Sequence, residues 1–222
     1  MSPAGGGSSG EDAPADGALG GPSPAPPPPP GDPVDPADLG RPAAGVARDL
    51  LGLLLVSDVD GRRTAGRIVE TEAYPGPGDP ASHASASVGR TERNDPMFGP
   101  PGTAYVHVNY GIHRCLNVVV DREGHPAAVL IRALEPTAGR ETMRERRGHD
   151  ELARGPARLA EALAVGLEHQ RHLLSRPPLR LVDDGVRVPD EAVERTPRVG
   201  ISKAVEAELR FLDRRSDRVS RR

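Results

Sequence analysis

Hydrophobic and polar residues alternate along three stretches of the chain in the manner of β-strands. The stretches are residues 63–74, 103–109 and 114–120, and a period of two predicts strands that are buried on one side. The last two stretches are joined by Tyr110-Gly111-Ile112-His113, which predicts a hairpin with Tyr110 near its tip. A turn signal over residues 58–61 follows an apolar run and precedes the first strand, so a second hairpin is expected there.

Other apolar patterns predict helices and further strands. Helices are expected at residues 42–55, 137–147 and 154–165. Short strands are expected at residues 179–182, 198–201 and 209–212. The apolar run at residues 127–134 predicts a buried strand that is interrupted by Arg132. A buried arginine needs an ionic partner or a phosphate.

The first 38 residues differ from the rest in composition. They are almost entirely Gly, Pro, Ala, Ser and Asp, and they contain no Lys, Arg or aromatic residue. Such a segment buries too little apolar surface to offset its ordering entropy, so we expect a disordered tail at residues 1–38 and a domain at residues 39–222. The tail lacks the features of a secretory signal or transit peptide, and no later apolar run approaches the ~20 residues of a membrane helix. We therefore expect a soluble chain.

The charge of the chain is unevenly distributed. Residues 1–40 hold six acidic side chains and no basic one, so a net charge of −3 for the chain becomes +3 for residues 41–222. Every basic side chain except Lys203 is an arginine, which suits phosphates and nucleic acid, although GC-rich codon usage explains the same excess. The single cysteine, Cys115, excludes disulfides within the chain and favours a reducing, intracellular location.

Two carboxylates and a phenol fall on one predicted face of the strand at residues 63–74. Period-two alternation places Ile68, Glu70, Glu72 and Tyr74 on that face, about 7 Å apart per step. A solvent-exposed polar face is the commoner reason for Glu in a strand. However, the neighbours of these acids are apolar, and Glu is disfavoured in strands. All three tyrosines and four of the seven histidines also lie between residues 66 and 125.

Several kinds of site are excluded or disfavoured by spacing. A metal site is disfavoured because Glu70, Glu72, His83 and His107 follow no recognised ligand spacing. The chain has no nucleophile-elbow motif and no glycine-rich phosphate loop. The kind of site that remains is a glutamate that acts as general base on water, between rings that hold a planar substrate. Chemistry on a nucleobase fits, because the base must leave its stack and lie between aromatic side chains.

A set of short motifs resembles the alkyladenine (3-methyladenine) DNA glycosylase family. The resemblance covers about residues 42–220, and the combined motifs are highly specific. It implies a mixed α/β single domain, with a curved, largely antiparallel sheet surrounded by helices and a protruding β-hairpin. The motifs are Val69-Glu70-Thr71-Glu72-Ala73-Tyr74, His83, Arg93-Asn94, Met97-Phe98, Pro101-Gly102-Thr103, Tyr105-Val106, Tyr110-Gly111, Asn117, Leu130-Ile131-Arg132-Ala133-Leu134-Glu135-Pro136 and Gly155-Pro156.

The resemblance implies a role for each matching residue. Glu72 matches the general base that activates water for attack on C1′. Tyr74 and His83 match residues that sandwich the flipped base, and Asn117 matches the residue on the pocket floor that would crowd a guanine amino group. Arg132 matches an arginine that contacts DNA or organises the site.

Two further positions concern the hairpin. Tyr110 matches the side chain that is inserted into the minor groove, in the space of the flipped nucleotide. His107 stands where the best-known mammalian relatives have a third pocket tyrosine, and His113 stands at a neighbouring hairpin position. An imidazole offers a smaller stacking surface than a tyrosine ring and can carry a charge. The preferred lesion is therefore open among 3-methyladenine, 7-methylguanine, hypoxanthine and ethenoadenine.

The expected activity is monofunctional hydrolysis without strand cleavage. Lyase-type glycosylases use an amine to form a Schiff base, and Lys203 is far from these motifs in the sequence. We expect no cofactor or metal, a monomer that acts on double-stranded DNA with damaged purines, and a cytoplasmic, nucleoid-associated location in a bacterium. Two alternatives stay open: a non-catalytic nucleic-acid-binding module and a metal-dependent hydrolase. The acidic tail either solvates the chain or inhibits DNA binding by mimicry.

Overall fold

One antiparallel sheet dominates the fold, and it curls strongly into a half-barrel with helices packed against it. The computed structural model describes Met1, residues 27–109 and residues 111–220. Within those residues the helices are α1 (Ala43–Asp49), α2 (Arg140–Arg147) and α3 (Pro156–Ala162). The strands are β1 (Asp32–Pro33), β2 (Leu54–Ser57), β3 (Thr64–Tyr74), β4 (Ala104–Asn109), β5 (His113–Val120), β6 (Ala127–Ala138), β7 (Ser175–Arg176), β8 (Leu179–Asp183), β9 (Val193–Thr196) and β10 (Arg210–Asp213).

Strand β3 is the centre of the sheet. One edge of β3 pairs with β6 along nearly its whole length, and the other edge pairs first with β2 and then with β10. The strands follow the order β1-β8-β2-β3-β6-β5-β4. At the C-terminal half of β3, Glu72 therefore lies between Leu130 of β6 and Arg210 of β10. Polar side chains from three strands meet at this point.

The core is almost entirely aliphatic. Helix α1 packs on β3, and α3 packs on β5 and β6. The core side chains with at most 1% exposure include Leu50, Leu51, Ile131, Leu134 and Leu159, and each buried leucine contributes about 2 kcal/mol relative to an exposed one. The hydroxyl of Thr71 donates to the carbonyl of Ala47 at 2.7 Å and ties α1 to the sheet. The mixed α/β class and the curved antiparallel sheet that we predicted are confirmed.

Both predicted hairpins are present as paired strands. The prediction that Ile68 shares one face of the strand with Glu70 and Glu72 is wrong. Strands β2 and β3 pair, as do β4 and β5. Glu70 and Glu72 meet Arg132 on one face of β3, whereas Ile68 packs in the main apolar core with Leu134. The cause is a β-bulge, because the register between β3 and β6 shifts between Ile68 and Glu70. A bulge inserts one residue and reverses the alternation beyond it.

Two other predicted elements differ from the structure. The helix expected at residues 42–55 ends at Asp49, since Gly52 takes a φ of +94° and the following residues enter β2. Residues 198–201 form no strand; β9 pairs with β10 instead. The reason lies in the backbone N–H of Val199, which donates to the Glu72 carboxylate rather than to a neighbouring strand.

The folded part begins before the predicted boundary at residue 39. Asp32–Pro33 pairs with β8, and Pro36–Leu39 forms a 3-10 turn in which the Asp35 side chain accepts a hydrogen bond from the N–H of Ala37. Leu39 is buried against the core. The prediction of disorder is therefore wrong for residues 32–38. Residues 2–26 lie outside the described residues. No helix in the described part of the chain is long and apolar enough to cross a membrane.

Candidate active site

A cleft of about 630 Å³ lies beside strands β3 to β6. The long loop after β3 contributes to one wall, and residues 199–203 and the C-terminal segment contribute to the others. Polar groups and rings line the cleft, and they include Tyr74, His83, His107, Asn117, Arg132 and Ser220. The five predicted pocket and site-organising residues come from four different strands and one loop, so only the fold brings them together.

The carboxylate of Glu72 lies behind the wall of this cleft. Glu72 is fully buried on β3. Its Oε1 accepts a hydrogen bond from the backbone N–H of Val199 at 2.7 Å and forms an ion pair with Nη1 of Arg132 at 3.1 Å. Its Oε2 accepts a hydrogen bond from the hydroxyl of Tyr74 at 2.9 Å. Tyr74 and Arg132 line the cleft themselves, so they connect the carboxylate to it.

Arg132 is shared between two carboxylates. Its Nε donates to Oε1 of Glu70 at 2.9 Å, while Nη1 pairs with Glu72. Burial on its own would raise the pKa of Glu70, but Arg132, the N–H of Ser220 and Arg210 outweigh burial and lower it. Burial would likewise lower the pKa of Arg132, but Glu72 and Glu70 outweigh it and raise that pKa. Glu70 and Arg132 are therefore both ionised in the folded protein.

Tyr74 is held as a neutral phenol. Burial raises its pKa, and the adjacent Glu72 raises it further. The guanidinium of Arg198 covers the ring, with Cζ 4.7 Å from the ring centre. Arg198 also donates to both carboxylate oxygens of Asp79, one of them at 2.8 Å. The phenol hydroxyl therefore remains a hydrogen-bond donor toward Glu72.

Three rings that line the cleft form a cluster. The ring centres of His83 and His107 are 4.5 Å apart at an interplanar angle of 86°. The Nδ1 of His83 lies 2.9 Å from the hydroxyl of Tyr105, whose ring centre is 5.4 Å from that of His107. The edge-to-face contact between His83 and His107 is one of the preferred arrangements of ring pairs.

Asn117 fixes the tautomer of His107. Its Nδ2 donates to the carbonyl of Tyr105 at 3.0 Å, and the same nitrogen lies 3.1 Å from Nδ1 of His107. A carbonyl only accepts hydrogen bonds, so the amide nitrogen must be the atom at this position and Nδ1 of His107 must accept. The proton of the neutral imidazole is therefore on Nε2.

The histidines of the ring cluster are uncharged near neutral pH. Burial lowers the pKa of His107 to about 3, and His83 and Arg93 contribute to the same shift. Burial and Arg93 also lower the pKa of His83. The charge that the sequence left open at His107 is thus absent at pH 7. His113 is exposed and lines the cleft as well.

The structure places the predicted residues together, with one position outside its description. Tyr74, His83, His107, Asn117 and Arg132 all line the cleft, and Glu72 contacts two of them. The predicted wedge, Tyr110, lies outside the described residues. Among the described residues, no group of three or more His, Cys, Asp or Glu side chains is arranged to hold a metal ion.

Sequence reasoning missed several residues of this site. Arg198 and Val199 were assigned to a strand, Lys203 was placed far away, and Ser220 was given no role. All four lie at least 120 residues after Glu72, yet Val199, Lys203 and Ser220 line the cleft. Only Arg198 carried a usable signal, because an arginine among apolar residues needs a partner when it is buried.

Comparison with known proteins identifies the family. The family model described as methylpurine-DNA glycosylase matches residues 37–217. The chain belongs to the methylpurine-DNA glycosylase family. The match includes every residue that we predicted for the site, and it ends before Ser220.

Curated relatives from distant organisms agree with this assignment. The chain is 46% identical over 193 residues to a protein of Salinibacter ruber, covering 81% of this chain and 92% of the relative. It is 44% identical over 198 residues to a protein of Methanocella arvoryzae, covering 86% of this chain and 97% of the relative. A protein of Myxococcus xanthus is 48% identical over 164 residues, which cover 74% of this chain and 79% of the relative. All three carry the provisional name 3-methyladenine DNA glycosylase. The family and these names support DNA-glycosylase activity in DNA repair.

Proposed function

We propose that this chain hydrolyses the N-glycosidic bond of alkylated or otherwise modified purines in DNA, of the 3-methyladenine type, and so starts base excision repair. The damaged nucleotide leaves the duplex, its base enters the cleft, and Glu72 activates a water that attacks C1′. Family membership and the names of the relatives support the substrate class. The observation that carries the mechanism is the Glu72 carboxylate, held behind the cleft wall by Tyr74 and Arg132.

Glu72 retains the capacity to hold a water. A carboxylate has about four lone-pair positions. Hydrogen bonds from Val199 and Tyr74 occupy one position on each oxygen, and the ion pair with Arg132 is made to Oε1. Oε2 therefore keeps the acceptor position that we assign to the attacking water. The same negative charge stabilises the oxocarbenium-like sugar that develops as the base departs.

The neutral rings suit a positively charged purine. Alkylation at N3 or N7 places positive charge on the base and makes it a good leaving group. His107 carries no charge at pH 7 because its pKa is about 3, so the ring wall does not repel such a base. We assign Tyr74, His83 and His107 to stacking, which contributes about 1–3 kcal/mol per base. That is similar to the few kcal/mol that flipping costs.

Three further roles belong to the same proposal. Asn117, on the floor of the pocket, crowds the 2-amino group of guanine. Arg132 orients the Glu72 carboxylate from Oε1. Tyr110 enters the minor groove and fills the space of the flipped nucleotide, as apolar wedges do in proteins that kink a duplex.

We propose a monofunctional enzyme that acts as a monomer on double-stranded DNA, without a cofactor, on the bacterial nucleoid in the cytoplasm. Water, rather than an amine, is the nucleophile, because Tyr74 and Arg132 connect the buried Glu72 carboxylate to the cleft. The single lysine, Lys203, also lines the cleft, and we assign its ammonium group to a DNA phosphate.

The test measures release of free base from duplexes that each carry one lesion. Under single-turnover conditions, Glu72→Gln should lower the release rate at least about 100-fold, since a general base contributes 10²–10⁴, while binding to the damaged duplex is retained. Glu141→Gln is the matched control, because Glu141 is an exposed glutamate of α2 with 74% side-chain exposure.

Two results would contradict the proposal. Release at the wild-type rate by Glu72→Gln would remove Glu72 from the reaction. Tight binding of damaged duplexes by the wild type, without release of any of the tested bases, would instead favour a non-catalytic binding module.

A further inference from the structure

Ser220 contacts both members of the ion pair next to Glu72. Its Oγ donates to Oε1 of Glu70 at 2.8 Å and accepts a hydrogen bond from Nη2 of Arg132 at 3.1 Å. Its backbone N–H donates to Oε2 of Glu70. Ser220 lines the cleft, and none of the roles assigned above uses it.

The two contacts of this hydroxyl require a group that donates and accepts at once. Toward the carboxylate of Glu70 the group must donate, and toward the guanidinium of Arg132 it must accept. Serine and threonine hydroxyls meet both requirements, and an alanine side chain meets neither. Hydrogen bonds to ionised partners are also stronger than those between neutral groups.

The segment that carries Ser220 is firmly attached to the sheet. Val219 is fully buried. Its carbonyl accepts a hydrogen bond from Nε of Arg154 at 2.7 Å, and Arg154 forms an isolated β-bridge with Ala133, the neighbour of Arg132 on β6. The position of the Ser220 hydroxyl is therefore set by the same strand that positions Arg132.

The guanidinium of Arg132 is held at all three of its nitrogens. Nε binds Glu70, Nη1 pairs with Glu72 and Nη2 binds Ser220. A planar group fixed at three points cannot swing about its Cδ–Nε bond. Glu70 cannot supply this restraint alone, because its Oε1 also accepts a hydrogen bond from Nε of Arg210 at 2.7 Å.

We infer that Ser220 is a positioning residue, whose hydroxyl fixes the guanidinium of Arg132 so that Nη1 faces Glu72. The inference rests on the proposed function for its effect on rate. It assigns the C-terminal segment a part in the reaction, through Arg132, without contact between Ser220 and the reacting atoms.

The experiment compares Ser220→Ala, Ser220→Thr and Ser175→Ala in the full chain. Ser175 of β7 is half-buried like Ser220, and its side chain makes no hydrogen bond among the described residues and does not line the cleft. Ser220→Ala should lower the single-turnover rate of base release roughly 10- to 100-fold, the range for a lost hydrogen bond to a charged group. Affinity for the damaged duplex should change less than about twofold, because no contact with DNA is removed. Ser220→Thr should restore the rate, and Ser175→Ala should match the wild type.

A second readout does not depend on activity. The side-chain N–H resonances of Arg132, assigned by their loss in Arg132→Lys, should be sharp in the wild type and in Ser220→Thr. They should broaden or disappear in Ser220→Ala, because the guanidinium then rotates. If Ser220→Ala does not fold, Ser220→Cys, which keeps the volume of the side chain, takes its place in both measurements.

The outcomes separate the two proposals. A wild type that releases no base, with resonances that respond to Ser220→Ala, would overturn the proposed function and support the positioning role. An active wild type with rate and resonances unchanged in Ser220→Ala would overturn the positioning role and leave the proposed function intact. A loss of rate that Ser220→Thr does not restore would also overturn it.

Discussion

The guanidinium of Arg198 lies over the ring of Tyr74, with its Cζ 4.7 Å from the ring centre. It donates to the carbonyl of Ala73 at 3.0 Å and to both carboxylate oxygens of Asp79. Asp79 belongs to the loop that carries His83, and the residue after Arg198 binds Glu72. One buried arginine thus connects the carboxylate, the phenol and the loop of the candidate site.

Replacing Arg198 should destabilise the protein through the partner it leaves behind. Arg198→Met leaves Asp79, only 6% exposed, without its cation, and breaking a buried ion pair in this way costs about 3–5 kcal/mol. Asp79→Asn in the same chain should recover part of the loss, because the buried charge is then removed. Urea unfolding of the wild type, both single variants and the double variant measures the coupling. Independent, additive effects of the two substitutions would contradict the pairing.

Two substitutions of Tyr74 should separate the role of its hydroxyl from the role of its ring. Tyr74→Phe removes the hydrogen bond to Glu72 Oε2 but keeps the stacking surface, so the single-turnover rate should fall about tenfold with little change in affinity. Tyr74→Leu also removes the ring and should weaken binding of a damaged duplex by about tenfold, since stacking contributes about 1–3 kcal/mol. Equal losses of affinity in the two variants would argue against a stacking role.

His107 should make the fold less stable as the pH falls. Its pKa is about 3 in the folded chain and ordinarily about 6.5 in an unfolded one. Below pH 6.5 the unfolded chain therefore binds a proton that the folded chain does not, and stability falls between pH 6.5 and pH 3. For this group the loss amounts to about 1 kcal/mol at pH 5.5 relative to pH 7.5.

The measurement is urea unfolding at pH 7.5 and 5.5 for the wild type, His107→Gln and His149→Gln. His107→Gln should lose less stability than the wild type on acidification, because glutamine does not titrate. His149 is exposed, and its variant should follow the wild type. Equal pH dependence of the wild type and His107→Gln would show that His107 is protonated normally.

Lys203 should contribute to binding but not to chemistry. It is exposed at the cleft, where an ammonium group favours a DNA phosphate. Lys203→Met should weaken binding uniformly across sequences and reduce the slope of log affinity against log salt by about 1. Borohydride added during the reaction should trap no covalent complex of wild-type protein and DNA. A trapped complex that is lost in Lys203→Met would establish a Schiff base and a lyase step.

Local patterns in the sequence determined much of the fold. The alternation before Tyr74 and on both sides of the Tyr110 turn predicted β3, β4 and β5, because a half-buried strand must alternate apolar and polar side chains. The resemblance of the short motifs to a known family led to Glu72, His83 and Asn117, because those motifs contain the residues themselves. The ends of elements were predicted less accurately. The helix after Pro42 ends at Asp49, because Gly52 and the pairing of Leu54–Ser57 with β3 end it.

The tertiary structure alone decided the rest. The face of Ile68 depended on a bulge against β6, and the charge of His107 depended on burial by residues distant in sequence. Val199 and Ser220 reach the two carboxylates across 127 and 150 residues. The chain's own sequence determined which groups were available for chemistry. Their pairing was decided by the fold, because a hydrogen bond or an ion pair between distant segments leaves no periodic signal in either segment.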